Sequence, residues 1–177
     1  MRGEVFRMNM AEKLNVTFEE FMQMPKEENK SYELIDGIIY MTPSPSREHQ
    51  MIAYELTGRM YPIMKQLGCT AVGKLDIIHQ GDVLKPDMMV FCNRDDEIPE
   101  IVFEILSPST RHRDLGIKLV KYEQMGVKEY WIIDPKAKTI TIHDFVNKNS
   151  EVYIISETAK SFIRPELEIS VAGILGE

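Results

Sequence analysis

The sequence predicts an α/β fold (α+β mixed sheet) in which a central mixed β-sheet is flanked by helices. Segments with helical and strand periodicity follow one another in the order α, ββ, α, βββ, α, β, ββ, and this mixing is typical of a sheet with a helix on each side. The length of 177 residues suits one ordinary domain. We therefore expect a flexible N-terminal leader over residues 1–15 and a single domain over residues 16–177.

A short helix and a β-hairpin open the predicted domain. Thr17 and Glu20 form a capping-box pattern at the start of the helix, and Pro25 closes it. The turn signal Asp36-Gly37 then separates two apolar segments. The expected hairpin strands are Tyr32–Ile35 and Ile38–Met41.

A long amphipathic helix follows. Ser46 can cap it, and we expect it to run from about Arg47 to Leu67 and to end at Gly68. Its apolar side chains fall within one stripe, and His49 lies on this stripe in the first turn. The stripe consists of His49, Ile52, Ala53, Leu56, Met60, Ile63 and Met64.

The rest of the chain is predicted to supply the sheet and a second helix, Arg113–Met125, which ends at Gly126. Three strand segments precede this helix and three follow it, separated by turn signals. They are Cys69–Val72 continuing into Leu75–His79, Val83–Phe91, Ile101–Leu106, Glu129–Ile133, Thr139–Phe145 and Val152–Ser156.

Composition excludes several classes of protein. Cys69 and Cys92 show neither CxxC nor Cys/His spacing, so we expect two reduced core cysteines and neither a disulfide framework nor a zinc site. The chain has no apolar run long enough to span a membrane, and its N-terminus lacks the pattern of a signal peptide. We therefore expect a cytoplasmic protein without a membrane partner.

The formal net charge of −7 argues against binding nucleic acid through overall electrostatics. Contact with DNA would require a local basic patch. One candidate patch lies at the start of the second helix, although a solvated helix start explains the same charges equally well. It contains Arg111, Arg113, Lys118 and Lys121, with His112 among them, and Arg47 could join it.

Two apolar strand segments each contain one acidic residue, Asp87 in the first and Glu104 in the second. A buried carboxylate is costly unless it has a metal, a cation or hydrogen-bond donors as partners. Two acids on neighbouring strands could hold Mg²⁺ or Mn²⁺, which prefer oxygen ligands. The alternative is that Asp87 belongs to a Pro-Asp turn and Glu104 to a buried ion pair.

A lysine on the second helix favours the metal site. Leu115, Leu119, Tyr122 and Met125 define the buried stripe of this helix, and Lys118 falls within it, between Tyr122 and Met125. Lys118 is thus expected to point toward the acids, whereas Lys121 lies at the edge of the stripe. The alternative is a lysine whose stem covers Tyr122 while its ammonium reaches solvent.

These motifs together resemble the restriction-endonuclease-like proteins that are abundant in cyanobacteria, over roughly Phe18 to Phe145. The similarity rests on many short motifs in one order. They are Tyr32–Gly37, Pro43–Ser46 with His49, Pro86-Asp87, Glu104–Thr110, Asp114 with Lys118 and Tyr122, and Gly126–Pro135.

The resemblance implies the PD-(D/E)XK nuclease fold, with Asp87 and Glu104 as its two acids. Leu106 occupies the position where the superfamily pattern has lysine, and the resemblance implies that Lys118 supplies the ammonium from the helix. It also implies a catalytic role for Glu33 and metal binding through Asp87, Glu104 and the main-chain carbonyl of Ile105.

The function implied is Mg²⁺- or Mn²⁺-dependent hydrolysis of DNA phosphodiester bonds, with a homodimer as a plausible assembly because two strand breaks need two sites. His49, at a helix N-terminus, could contact a phosphate; a histidine packed under the hairpin is the alternative. The competing function is a catalytically silent nuclease fold that binds DNA or a protein, an alternative favoured by the acidic charge and Leu106.

Overall fold

The computed structural model describes residues 15–93 and 95–176. The predicted leader, residues 1–15, lies outside these ranges except for Asn15. The helices and strands are α1 (Phe18–Gln23), β1 (Lys30–Ile35), β2 (Ile38–Pro43), α2 (Arg47–Leu67), β3 (Thr70–Val72), β4 (Ile77–His79), β5 (Asp82–Leu84), β6 (Met88–Phe91), β7 (Ile101–Ile105), α3 (Arg111–Asp114), α4 (Ile117–Met125), β8 (Glu129–Asp134), β9 (Thr139–Asp144), β10 (Asn149–Ile154), β11 (Thr158–Lys160), β12 (Glu168–Ser170) and α5 (Val171–Leu175).

The larger sheet has six strands in the order β10-β9-β8-β7-β6-β3. Strands β7 and β8 are parallel, and the other neighbouring pairs are antiparallel. A parallel pair needs a crossover connection, and α3 and α4 form it. The prediction of a central mixed sheet flanked by helices is confirmed.

Helices cover both faces of this sheet. On one face, Met60 of α2 packs in a core cluster with Phe103 and Trp131. On the other face, Tyr122 of α4 packs on Tyr130, with ring centroids 5.0 Å apart. Because both faces are covered, β7 and β8 are buried along their whole length, and this accounts for the apolar residues on both faces of each strand.

A second sheet of four antiparallel strands, β2-β1-β5-β4, packs against α1. The capping box at Thr17 is formed, and the hairpin turn lies at Asp36-Gly37. Both turn residues have positive φ, and a Cβ on Gly37 would lie 2.9 Å from the Cα of Asn15, so the turn requires glycine there.

Two predicted strands are each divided between the two sheets. The segment Val83–Phe91 was expected to form one strand, but β5 belongs to the smaller sheet and β6 to the larger one. Pro86 lies at the break, where its missing N–H would interrupt a ladder. The preceding expected strand is divided in the same way into β3 and β4, with a turn at Gly73-Lys74.

The second predicted helix, Arg113–Met125, differs from the structure in its start and is interrupted. It begins earlier, at Arg111, and is divided into α3 and α4 around Leu115-Gly116. Leu115 is consequently exposed, although the helical wheel placed it on the buried stripe. After β10 the chain forms a further hairpin, β11-β12, and the short helix α5, none of which the periodicity of the sequence indicated.

The expectation of two reduced cysteines is wrong in this structure. Cys69, directly before β3, and Cys92, directly after β6, form a disulfide. The antiparallel pairing Thr70↔Phe91 makes them the next facing pair, and this placement was not visible from the spacing of the two cysteines. Among residues 15–93 and 95–176, no helix has both the length and the apolar character needed to cross a membrane.

Candidate active site

A cleft of about 310 Å³ lies where the chain passes from the smaller sheet to the larger one. Its walls come from both sheets, the start of α2, the start of α4 and two loops rich in serine and proline. The lining acidic, basic and histidine side chains are Glu33, His49, Lys74, Lys85, Asp87, Glu104 and Lys118.

Asp87 enters this cleft directly before β6, at the break that follows Pro86. Its Oδ2 accepts a hydrogen bond from the main-chain N–H of Ile105 at 2.8 Å and lies 3.1 Å from His49 Nε2. The side chain is 19% exposed. Asp87 is therefore held by one oxygen and reaches the solvent of the cleft.

His49 is placed by the first turn of α2. The hydroxyl of Ser46 accepts the main-chain N–H of His49 and caps the helix. Burial lowers the pKa of His49, but its hydrogen bond and charge interaction with Asp87 outweigh this effect and hold the pKa above its usual value. The imidazole therefore acts as a partner of Asp87.

Glu104 lies within the buried strand β7, with a side chain only 5% exposed. Its Oε1 accepts hydrogen bonds from Lys118 Nζ at 2.8 Å and from the Tyr122 hydroxyl at 2.7 Å. Burial raises the pKa of Glu104 well above its usual value; Lys118 opposes this shift, and neighbouring carboxylates reinforce it. Glu104 thus needs positive charge beside it to stay ionised.

Lys118 points inward and is 2% exposed. Its ammonium lies 2.8 Å from both Glu104 Oε1 and Glu33 Oε1, and 3.4 Å from Asp114 Oδ1. Burial lowers the pKa of Lys118, but these three carboxylates outweigh it and raise the pKa. One ammonium therefore faces three buried acids, and burial likewise raises the pKa of Asp114.

Asp87 and Glu104 each keep one carboxylate oxygen free of hydrogen bonds from the described residues, and oxygens of this kind suit a hard cation. Within residues 15–93 and 95–176, Asp87 Oδ1 and Glu104 Oε2 accept no hydrogen bond. No group of three or more His, Cys, Asp or Glu side chains in that part of the chain is arranged to hold a metal ion. Mg²⁺ is commonly held by one or two carboxylates together with water and substrate phosphate, so the two carboxylates fit such an ion.

The sequence matches the profile of the Uma2 family, described as "Putative restriction endonuclease", over residues 18–172. The chain belongs to the Uma2 family. Its fold is similar to the crystal structure of a protein described as a putative nuclease belonging to DUF820 from Anabaena variabilis ATCC 29413, with a TM-score of 0.78 and 23% sequence identity. The similarity covers 90% of this chain and 97% of the Anabaena chain. No curated protein matches the chain.

Membership of Uma2 confirms the family resemblance that the motifs predicted and supports a nuclease-like function. In this Uma2 chain, Leu106 is 7% exposed and packs in the core beneath α4. Lys118 of α4, and not residue 106 of the sheet, contacts Glu104. A lysine supplied by the helix therefore occupies the neighbourhood of the acids.

The residues of the predicted basic patch have different partners in the structure. Arg111 pairs with Asp134 at 2.6 Å, and Lys121 pairs with Asp82 at 2.9 Å and also with Asp36. Arg113 lies over the ring of Tyr40, 5.0 Å from its centroid, and 3.9 Å from Glu33 Oε2. Of Arg111, Arg113, Lys118 and Lys121, only Lys118 lines the cleft. A substrate-binding role for Arg111, Arg113 and Lys121 stays a prediction.

Sequence reasoning missed two of the three lysines that line the cleft of this Uma2 chain, Lys74 and Lys85. Lys85 pairs with Asp76 at 3.1 Å, and its main-chain N–H donates to Glu33 Oε1 at 2.9 Å. Lys74 lies in the turn between β3 and β4. The Gly73-Lys74 break and the Lys85-Pro86-Asp87 run were the signals that could have identified them.

Proposed function

We propose that this Uma2 protein is a Mg²⁺- or Mn²⁺-dependent endonuclease that hydrolyses phosphodiester bonds of DNA. The observation that supports it best is a pair of carboxylates, Asp87 and Glu104, each held by one oxygen with the other left free in the same cleft. Asp87, Glu104 and the main-chain carbonyl of Ile105 are the proposed metal ligands. A divalent cation bound there would lower the pKa of a bound water and supply positive charge for the phosphate.

The protein's own groups would orient the reaction. His49 and the Ile105 N–H fix Asp87 Oδ2, while Lys118 and Tyr122 fix Glu104 Oε1. Lys118 also brings a permanent positive charge, which would orient the attacking water or stabilise the negative charge that develops on the phosphate. Glu33 would keep Lys118 in this position through their contact at 2.8 Å.

A catalytically silent module that binds DNA or a protein is the second candidate. Its support is that Lys118 is already surrounded by three acids, so its ammonium is engaged before any substrate arrives. Cleavage of both strands would require two sites, so we also propose that the active form is a homodimer.

Cleavage of supercoiled, linear, branched and single-stranded DNA, and of RNA, in the presence of Mg²⁺ or Mn²⁺ tests the proposal. Wild type should cleave DNA, and EDTA, Asp87→Asn or Glu104→Gln should abolish this activity. Glu48→Gln, an exposed acid in the first turn of α2, is the matched control and should cleave normally. Binding of DNA without cleavage under any of these conditions would favour the silent module.

A further inference from the structure

We propose that Lys74 anchors a backbone phosphate of the nucleic acid next to the scissile phosphate, which would lie at the proposed metal site of Asp87 and Glu104. This inference rests on the proposed endonuclease function and adds the contact that seats the substrate. Lys74 lines the same cleft as both acids.

The backbone places Lys74 firmly relative to Asp87. The chain turns between β3 and β4 as it passes from one sheet to the other, and Lys74 adopts a left-handed conformation there, with φ of 56°. A Cβ on Gly73 would lie 3.3 Å from the main-chain oxygen of Asp87, so the turn lies directly against the residue that carries the acid. A residue with a Cβ is strained at such a φ.

Charge distinguishes Lys74 from the other lysines of the cleft. Lys85 is paired with Asp76, and Lys118 is buried among three acids. Lys74 is exposed, and it forms no ion pair with any carboxylate in residues 15–93 and 95–176. Its ammonium is therefore available to an anion that enters the cleft.

A phosphate is the anion that suits this position. The cleft contains Glu33, Asp87 and Glu104, so an anionic substrate needs positive charge at the cleft to approach the acids. A lysine provides a mobile point charge, and neutralising one phosphate releases condensed counterions when the ligand is a nucleic acid. The Lys74 contact should therefore appear in the salt dependence of binding.

Lys138 offers a matched control for the conformation of Lys74. It is an exposed lysine with φ of 55°, in the β8–β9 turn and outside the cleft. Glycine relieves the strain of a left-handed residue at either position, so Lys74→Gly and Lys138→Gly should each raise the Tm by about 1–4 °C. Only Lys74→Gly should weaken binding, a combination that a purely structural role would not produce.

Binding is measured by fluorescence anisotropy of a labelled DNA duplex in Ca²⁺ over a series of NaCl concentrations. Lys74→Gly should raise the Kd about 3- to 10-fold at low salt and reduce the slope of log Kd against log salt by about 1. Lys138→Gly should match wild type, and Lys74→Arg should retain most of the binding because it keeps the charge.

Each other outcome counts against a specific claim. Equal salt slopes for wild type, Lys74→Gly and Lys138→Gly would overturn the assignment while leaving the nuclease proposal intact. An unchanged duplex Kd, with inorganic phosphate raising the Tm of wild type but not of Lys74→Gly, would assign Lys74 to free phosphate and also overturn it. Loss of binding in Lys74→Gly without cleavage by wild type would uphold Lys74 and refute catalysis. Failure of wild type to bind the duplex would refute both.

Discussion

The phenol of Tyr122 donates a hydrogen bond to Glu104 Oε1 at 2.7 Å, across a fully buried contact between α4 and β7. Burial and the charge of Glu104 raise the pKa of Tyr122 well above its usual value, so the phenol keeps its proton and remains a donor. We therefore propose that Tyr122 is a positioning residue that holds Glu104 Oε1 in place.

Tyr122→Phe keeps the ring and deletes this donor. Partners that orient a metal ligand typically contribute 10- to 100-fold to metal affinity, so we expect the affinity for Mn²⁺ to fall by about tenfold or more. Titration calorimetry measures this change. Tyr130→Phe is the control, since its hydroxyl donates to the carbonyl of Asp114 and not to Glu104. Equal affinities in wild type and Tyr122→Phe would contradict the positioning role.

Lys118→Met should destabilise the protein at alkaline pH. The variant leaves Glu33, Glu104 and Asp114 buried without their shared ammonium, and breaking such an arrangement costs about 3–5 kcal/mol of unfolding free energy. The loss should shrink as the pH falls. Carboxyls whose folded pKa is raised bind more protons in the folded than in the unfolded state, so acid favours folding.

Urea unfolding at pH 8 and pH 5 measures this effect. Lys121→Met is the matched control on the same helix, where the partners Asp36 and Asp82 are more exposed than those of Lys118, so its cost should be smaller than that of Lys118→Met. If Lys118→Met lowered the unfolding free energy by the same amount relative to wild type at both pH values, Lys118 would not neutralise Glu33, Glu104 and Asp114.

Asp87→Asn should leave the metal-free protein as stable as wild type, or more stable. The asparagine oxygen can still accept the N–H of Ile105, while repulsion between Asp87 and Glu104 is removed. Mn²⁺ at 100 times its Kd should stabilise wild type by about 2.7 kcal/mol, and the variant should lose most of this gain. Melting curves in EDTA and in Mn²⁺ decide. If the variant melted at a lower temperature than wild type in EDTA, and Mn²⁺ did not change the melting temperature of wild type, Asp87 would have a structural role.

Removal of the disulfide should lower stability without affecting the cleft. Cys69 and Cys92 are 23 residues apart, and closing a loop of this length in the unfolded chain is worth about 3 kcal/mol. The double variant Cys69→Ser, Cys92→Ser should therefore unfold at a lower urea concentration than wild type. A reducing agent should lower the urea concentration at which wild type unfolds toward that of the double variant. The double variant itself should not respond to the reductant. Two free thiols in oxidised wild type, detected by alkylation and mass measurement, would exclude the bond.

The sequence by itself determined the elements whose signals are local. The capping box at Thr17, the Asp36-Gly37 hairpin and the apolar stripe of α2 each depend on residues within a few positions of one another, and each is present in the structure. Asp87 and Glu104 also stood out locally, because a single acid within an apolar strand needs a compensating partner.

Only the tertiary structure decided how these elements meet. Pro86 and the Gly73-Lys74 turn divide two expected strands between separate sheets, and this division opens the cleft that Lys74 and Asp87 share. The contacts of Lys118 with Glu33 and the pairing of Cys69 with Cys92 join segments distant in the chain. Periodicity reports which face of an element is buried, but the partner on that face depends on how the two sheets and the crossover helix pack.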